Sequence, residues 1–235
     1  MRRILIVALF AIATVAVNAQ DVTKFMGIPV DGYKPEMKKA LIDKGFIYDS
    51  LNDCFNGEFN GRNVNIFIVT NNNKVWRIMV SDKESSDETN IKIRFNNLCH
   101  QFEKNRKYTP STLETGSFII PDDENITHEM IIRKKRYEAS YFQELDMTKI
   151  DTLAVQQQVV EELKRKFTEE ELKSVDEKKR EEINAYTKRL SLDIAFQLMA
   201  NKTVWFMISD SGEYSKYKII MFYDNEYNHA NGEDL

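Results

Sequence analysis

Cys99 and His100 adjoin, the one cysteine–histidine neighbour pair in this sequence. They fall in a stretch of helical periodicity, where successive side chains diverge by about 100°. A thiolate and an imidazole so placed do not face each other, so cysteine-nucleophile chemistry is not expected there. His128 and His229 are the other two histidines, and none of the three sits at H-x-x-x-H or H-E-x-x-H spacing, the patterns that set two imidazoles on one metal. The chain has 8 glycines and carries no G-x-S-x-G, P-loop or G-x-G-x-x-G run. That argues against a nucleophile elbow and against a backbone cradle for phosphate. Oxygen ligands are denser in PDDE (121–124) and in DNEYNHANGEDL (224–235). Asp224, Glu226 and Asn228 alternate as a calcium loop begins, but His229 stands where such a loop needs glycine, and no bidentate Glu follows at the right distance. A polar tail is the preferred account. No catalytic, cofactor-binding or metal-ligating residue is assigned.

Four side chains are candidates for contact with a ligand or partner. RKKR (133–136) is the one basic run. Taken as part of a strand over 128–142, it places Arg133 and Lys135 on one side, facing an anionic partner or simply solvent, where such charges discourage edge pairing. Trp76 and Trp205 lie near two predicted turns. Core packing is the commoner use of such residues, and stacking on a sugar the functional one. Cys54 and Cys99 are an even pair. They suit either a disulfide in an oxidising compartment or two buried thiols.

These candidates sit in a chain with an address. MRRILIVALFAIATVAVNAQD has basic Arg2 and Arg3, an apolar run from Ile4 to Val17, and a small-x-small Val17-Asn18-Ala19. That is the pattern of a signal peptide cleaved after Ala19. The run is shorter than the ~20 residues that span a bilayer, and no Cys follows it for a lipid anchor. Loss of residues 1–19 from 235 leaves 216, and the net charge moves from −4 to −6. Mild acidity gives no support for nucleic-acid binding. No second apolar run of spanning length occurs, so no membrane span is expected in the mature chain.

The elements follow from periodicity and punctuation. PEMKKALIDKGF (35–46) predicts a helix with Pro35 in its first turn, a Met37, Ala40, Leu41 stripe and Gly45 as a left-handed cap. NVNIFIVTNNNKVWRIMVSD (63–82) predicts a hairpin whose Asn71-Asn72-Asn73 tolerates the positive φ of a tight turn. Its two strands are partly apolar on both faces. Residues 89–105 predict a helix with Ile91, Phe95, Leu98, Cys99 and Phe102 on one face, and Lys92, Arg94, Glu103 and Lys104 mostly on the other. YTPSTLETG (108–116) is the best break between halves, followed by strands at 117–120 and 128–142. Asp151 and the TEEE box at 168–171 announce helices, and the last of these, apolar nearly all round from Ile194 to Met199, is expected to be buried at its end. A second hairpin turns at Asp210-Ser211-Gly212. KVWRIMVSD (74–82) aligns on KYKIIMFYD (216–224) with four matches in nine, compatible with two related modules or with ordinary strand composition.

FMGIPVDGYKPEMKKALIDKGF, GEFNG, TNNNKVWRI and YDNEYNHANGEDL together resemble a family of uncharacterised secreted or periplasmic proteins of Bacteroidetes bacteria. The resemblance implies secretion but no activity and no catalytic residue. The order of a helix followed by antiparallel strands is also similar to small periplasmic modules of the outer-membrane assembly lipoprotein and β-lactamase-inhibitor type, though this chain lacks their lipid-anchoring Cys. The expectation is an α+β fold in which antiparallel sheet is covered by amphipathic helices, as one continuous domain or as sub-modules at 20–108 and 109–235. The expected function is non-enzymatic binding or scaffolding, with a protein or glycan of the cell envelope as partner and no cofactor. An envelope hydrolase using carboxylates, or a proteinaceous enzyme inhibitor, is the alternative.

Overall fold

The computed structural model describes residues 20–112, 118–173 and 176–230. Residues 1–19, where a leader is expected, and the last five residues of the tail lie outside them. The chain forms two compact units, Val22–Leu145 with Asp193–Leu235, and Met1–Asp21 with Asp146–Leu192.

The first unit is α+β. Strands β1 (Lys24–Phe25) and β2 (Ile28–Pro29) make a small hairpin. Helix α1 (Lys34–Asp43) has Pro35 in its first turn, where a missing N–H costs nothing. It ends as a left-handed glycine end should: Gly45 has φ 94°, its N–H donates to Ile42 O, and Phe46 N–H donates to Leu41 O. Phe46 and Leu41 are both buried beside that turn. Strands β3 (Ile47–Asp49), β4 (Cys54–Phe59), β5 (Arg62–Asn71) and β6 (Lys74–Asp82) follow as a meander. Helix α2 (Glu88–Lys104) starts at Asp87, whose carboxylate accepts from Asn90 N–H. Then come β7 (Tyr108–Pro110), a short helix α3 (Ile126–Ile132), β8 (Glu138–Gln143), β9 (Thr203–Asp210) and β10 (Tyr217–Asp224).

The strands from β3 onward join one antiparallel sheet in the order β3-β4-β5-β6-β10-β9-β8-β7. α1 is followed by β3–β6, and α2 by β7–β10 with α3 and residues 146–192 interposed; the final strands of the two sets, β6 and β10, pair at the centre. The expected sub-modules at 20–108 and 109–235 therefore contribute to one continuous sheet. The alignment of 74–82 on 216–224 does not follow this symmetry. Ile78 is buried on the helix-covered face, whereas its aligned mate Ile220 alternates with buried Ile219 and Met221 and faces the other way.

One face of the sheet is the core. Phe55, Val64, Ile66, Ile78, Val80, Ile219, Met221, Val204, Phe206, Ala139 and Tyr141 lie on it, against Met37 and Leu41 of α1 and Ile91, Phe95, Leu98, Cys99 and Phe102 of α2. Full burial of each large apolar side chain contributes about 1.5–3 kcal/mol. Phe46 packs so closely on β4 that a Cβ at Gly57 would lie 2.4 Å from its ring, so that position admits only glycine without a shift. Two members of α2's polar side also turn inward. Arg94 makes a bidentate pair with Asp82, both O···N distances 2.6 Å, and Lys92 donates to the carbonyls of Asp122 and Glu124.

The structure corrects the sequence in three places. Residues 128–142 are not one strand: Asn125 caps α3 by accepting from His128 N–H, Ile126 and Met130 one turn apart face the core, and β8 begins only at Glu138. Residues 118–120 are not a strand either, because the Asn96 side chain supplies both hydrogen bonds that a neighbouring strand would give to Ile120. The end of the last helix is not buried all round. Among its final residues Ile194 is buried, while Leu192 and Phe196 are exposed.

The second unit is helical. Its described elements are α4 (Thr152–Lys166), α5 (Glu169–Leu172) and the start of α6 (Glu177–Ala200). Asp151 caps α4, and Thr168 and Glu171 form the reciprocal capping box that the sequence announced. Phe167 is buried and meets Tyr186 edge-on at 5.6 Å. Among the described residues no helix is long and apolar enough to cross a membrane.

Candidate aromatic face of the sheet

The face opposite the core carries the candidate site. Alternation along a strand sends every second residue to this side, and the registers place these residues in rows across the strands. One row runs Phe67, Met79, Phe222, Trp205, Ser140 over β5, β6, β10, β9 and β8. Phe67 to Trp205 spans three strand spacings, about 14 Å. Trp205 and Phe222 stack with ring centroids 4.1 Å apart and 20° between planes. A parallel polar row runs Asn56, Asn65, Ser81.

Beside the aromatic row lies an ion pair. Arg77 and Asp224 are directly opposed on β6 and β10. Arg77 Nε donates to Asp224 Oδ1 at 2.6 Å and Nη2 to Oδ2 at 2.7 Å, while Trp205 Nε1 donates to Oδ2 at 2.9 Å. The guanidinium lies 4.2 Å from the Trp76 ring and 4.7 Å from that of Phe222. Trp76 reaches it through a β-bulge: Val69 pairs with Arg77 and Thr70 with Val75, which leaves Trp76 as the extra residue on β6. A bulge re-aims the side chain it carries, and here Trp76 turns toward Arg77 and meets the His229 ring at 4.7 Å. The chain after β10 is pinned alongside. Asn228 donates to Val75 O and Asn71 to Asn228 O. Burial, with the Asp224 charge nearby, raises the pKa of Glu226.

Two depressions flank the aromatic row. One, of about 460 Å³, is lined by Asp49, Asn52, Cys54, Asn56, Asn65, Phe67 and Lys83. The other, of about 400 Å³ at the Trp205 end, includes Arg136, Glu138 and Ser140.

Trp76 and Trp205, far apart in sequence, are thus brought around one guanidinium. Arg133 and Lys135 are not brought to this face as a pair. Arg133 ends α3 and bonds Glu129 one turn back, and Lys135 pairs with Glu124 in the loop before β8. A helix end and a left-handed Lys134, φ 56°, break the alternation expected of RKKR. Cys54 and Cys99 are both free and buried. Cys54 alternates with core-facing Phe55, so it faces away from the core, whereas Cys99 is in the core beside Tyr141. The sheet separates the two thiols, which is why no bridge forms. Asp224, weighed as a calcium ligand, has its carboxylate taken by Arg77 and Trp205.

Sequence reasoning missed Phe67, Arg77 and Phe222, and weighed Asp224 only as a calcium ligand. The signal was present in the hairpin 63–82, whose strands are apolar on both faces: one face makes the core and the other this row. Comparison with family models, with curated proteins and with solved structures gave no match.

Proposed function

We propose that this is a non-enzymatic binding protein of the cell envelope, exported by the leader at 1–19 and related to the secreted Bacteroidetes proteins it resembles, and that its ligand seats on the aromatic face. The observation that carries this is the row Phe67, Met79 and Trp205, held half-buried around a buried Phe222 on the side of the sheet away from the core. Aromatic side chains in such a position offer large contact area at small entropic cost. A carboxylate enzyme is less well supported. Its acid and base need two carboxyl groups converging on open space, and the buried Asp82 and Asp224 are each closed off by a bidentate arginine.

The test is capture from the envelope fraction on the immobilised mature protein, with proteins identified by mass spectrometry and glycans by composition. A folded Phe67→Ser/Met79→Ser variant runs alongside. A ligand retained by the wild type and lost by the variant supports the proposal; ligands retained equally by both overturn it. The inhibitor alternative draws on Tyr214, 95% exposed in the β9–β10 connection. It gains ground if Tyr214→Ala, and not the row variant, abolishes capture of an enzyme.

A further inference from the structure

Resting on the binding role proposed above, we infer that the depression between β3 and β5 is a subsite for a neutral pyranose oligosaccharide, with Phe67 as its stacking platform and the Asn56 and Asn65 amides as its hydroxyl readers. Asn56 and Asn65 are directly opposed on β4 and β5, and Phe67 is the next residue of β5 on the same face. The two amides are one strand spacing apart, about 5 Å, and the ring is about 7–8 Å along the same face.

The hydrogen-bonding capacity of these groups is unspent. No hydrogen bond of the Asn65 side chain occurs among the described residues. That of Asn56 accepts only a long contact, 3.5 Å, from Lys83 Nζ. Each amide offers a donor pair and an acceptor, the combination that reads a sugar hydroxyl, which itself both donates and accepts. Lys83 adds further donors at the rim.

Charge selects against an ionic ligand. The cavity holds one cation, Lys83, and one anion, Asp49. The Asp49 carboxylate is already satisfied by the Asn52 side chain at 2.8 Å and by Leu51 N–H at 2.9 Å. Along the aromatic row the nearest charges, Arg77 and Asp224, neutralise each other. A polyanion would find one lysine, and a polycation one carboxylate turned toward its own loop. A neutral chain of pyranose rings matches the surface better. Its ring faces carry C–H groups that pack on Phe67 and then, three strands on, on half-buried Trp205. Its hydroxyls meet the polar row Asn56, Asn65, Ser81 that runs parallel. The volume of about 460 Å³ is that of a small-ligand pocket.

The experiment titrates mature protein with cellohexaose, mannohexaose and chitohexaose by calorimetry and by proton–nitrogen spectra of the side-chain amides. At least one hexasaccharide is expected to bind, to shift the Asn56 and Asn65 NH₂ signals, and to lose affinity about tenfold or more in Asn56→Ala/Asn65→Ala. Phe67→Ala should weaken it comparably, with all variants melting near the wild-type temperature. If none of the three binds while a protein captured from the envelope depends on the aromatic row, the oligosaccharide inference falls and the binding role stands. If neither a sugar nor a captured ligand depends on the row, both fall. Binding that ignores Asn56 and Asn65 also overturns the inference.

Discussion

Asp224 is the residue on which the aromatic face turns. Its carboxylate is nearly inaccessible, its guanidinium partner is largely so, and the Trp205 indole N–H completes the set. Removing one member of a buried pair leaves a charge without a counter-ion, at a cost of about 3–5 kcal/mol, whereas replacing both by apolar groups is often neutral. Asp224→Ala should therefore lower the urea midpoint sharply, and Arg77→Met/Asp224→Leu should recover much of the loss. A wild-type midpoint for Asp224→Ala would mean that solvent reaches Arg77. The two thiols make a second case. Burial pushes Cys99 up to about 12 and also raises Cys54. Both stay protonated and shielded at pH 8, so a thiol reagent should find no fast-reacting site in native protein and two after denaturation. Rapid native reaction, or a mass gain of two protons on reduction, would contradict free buried thiols. The sign for stability follows: the unfolded chain loses the Cys99 proton from about pH 9, before the folded protein does, so this group removes stability as pH rises from there toward 12.

The hairpin β5–β6 shows how a turn and a bulge divide the work. Asn72 and Asn73 have φ 47° and 64°, the two positive values that a tight two-residue turn requires. Asn73→Gly should be neutral or stabilising by a few tenths of a kcal/mol, because glycine takes that φ without strain. Asn72→Val/Asn73→Val should cost about 1–3 kcal/mol, since β-branched residues resist it. Thermal melts decide it, and an unshifted Val-Val melt would remove the turn from the account. Such local chemistry is what a sequence displays. Capping at Asp151 and Thr168 and the apolar stripe of α2 were readable because each depends on neighbours within four residues. The bulge was not, because Trp76 is extra only with respect to Thr70 and Val69 on another strand. Nor was the inward turn of Lys92 and Arg94. Their partners, the Asp122 and Glu124 carbonyls and Asp82, come from other segments of the chain. The strand expected over 128–142 failed for the same reason. Its apolar residues suit either period, and the Asn125 cap with the core contacts of Ile126 and Met130 chose the helix.

At the level of the whole chain, the helical unit is an excursion between two paired strands. β8 and β9 are antiparallel neighbours, with Phe142 opposite Thr203, yet Asp146–Leu192 belongs to the other unit. The strand ends are held without it: Gln143 N–H donates to Lys202 O, the Lys202 ammonium donates to Glu144 O, and Phe142 packs on Phe196. The core of the sheet unit is formed by residues outside 146–192, so the hydrophobic term that stabilises it does not depend on the excursion. Replacing 146–192 by a flexible linker should then leave the sheet folded. Residues 193–200 span about 12 Å of helix, and eight Gly/Ser residues reach about 15 Å, enough to rejoin Leu145 to Asp193. The shortened chain should keep the near-ultraviolet circular dichroism of Trp76 and Trp205 and melt in one cooperative step. It should also keep any affinity measured for the aromatic face. Loss of the tryptophan signal together with cooperative melting would show that the sheet needs the helical unit to fold, and the face would then have to be understood as the product of both.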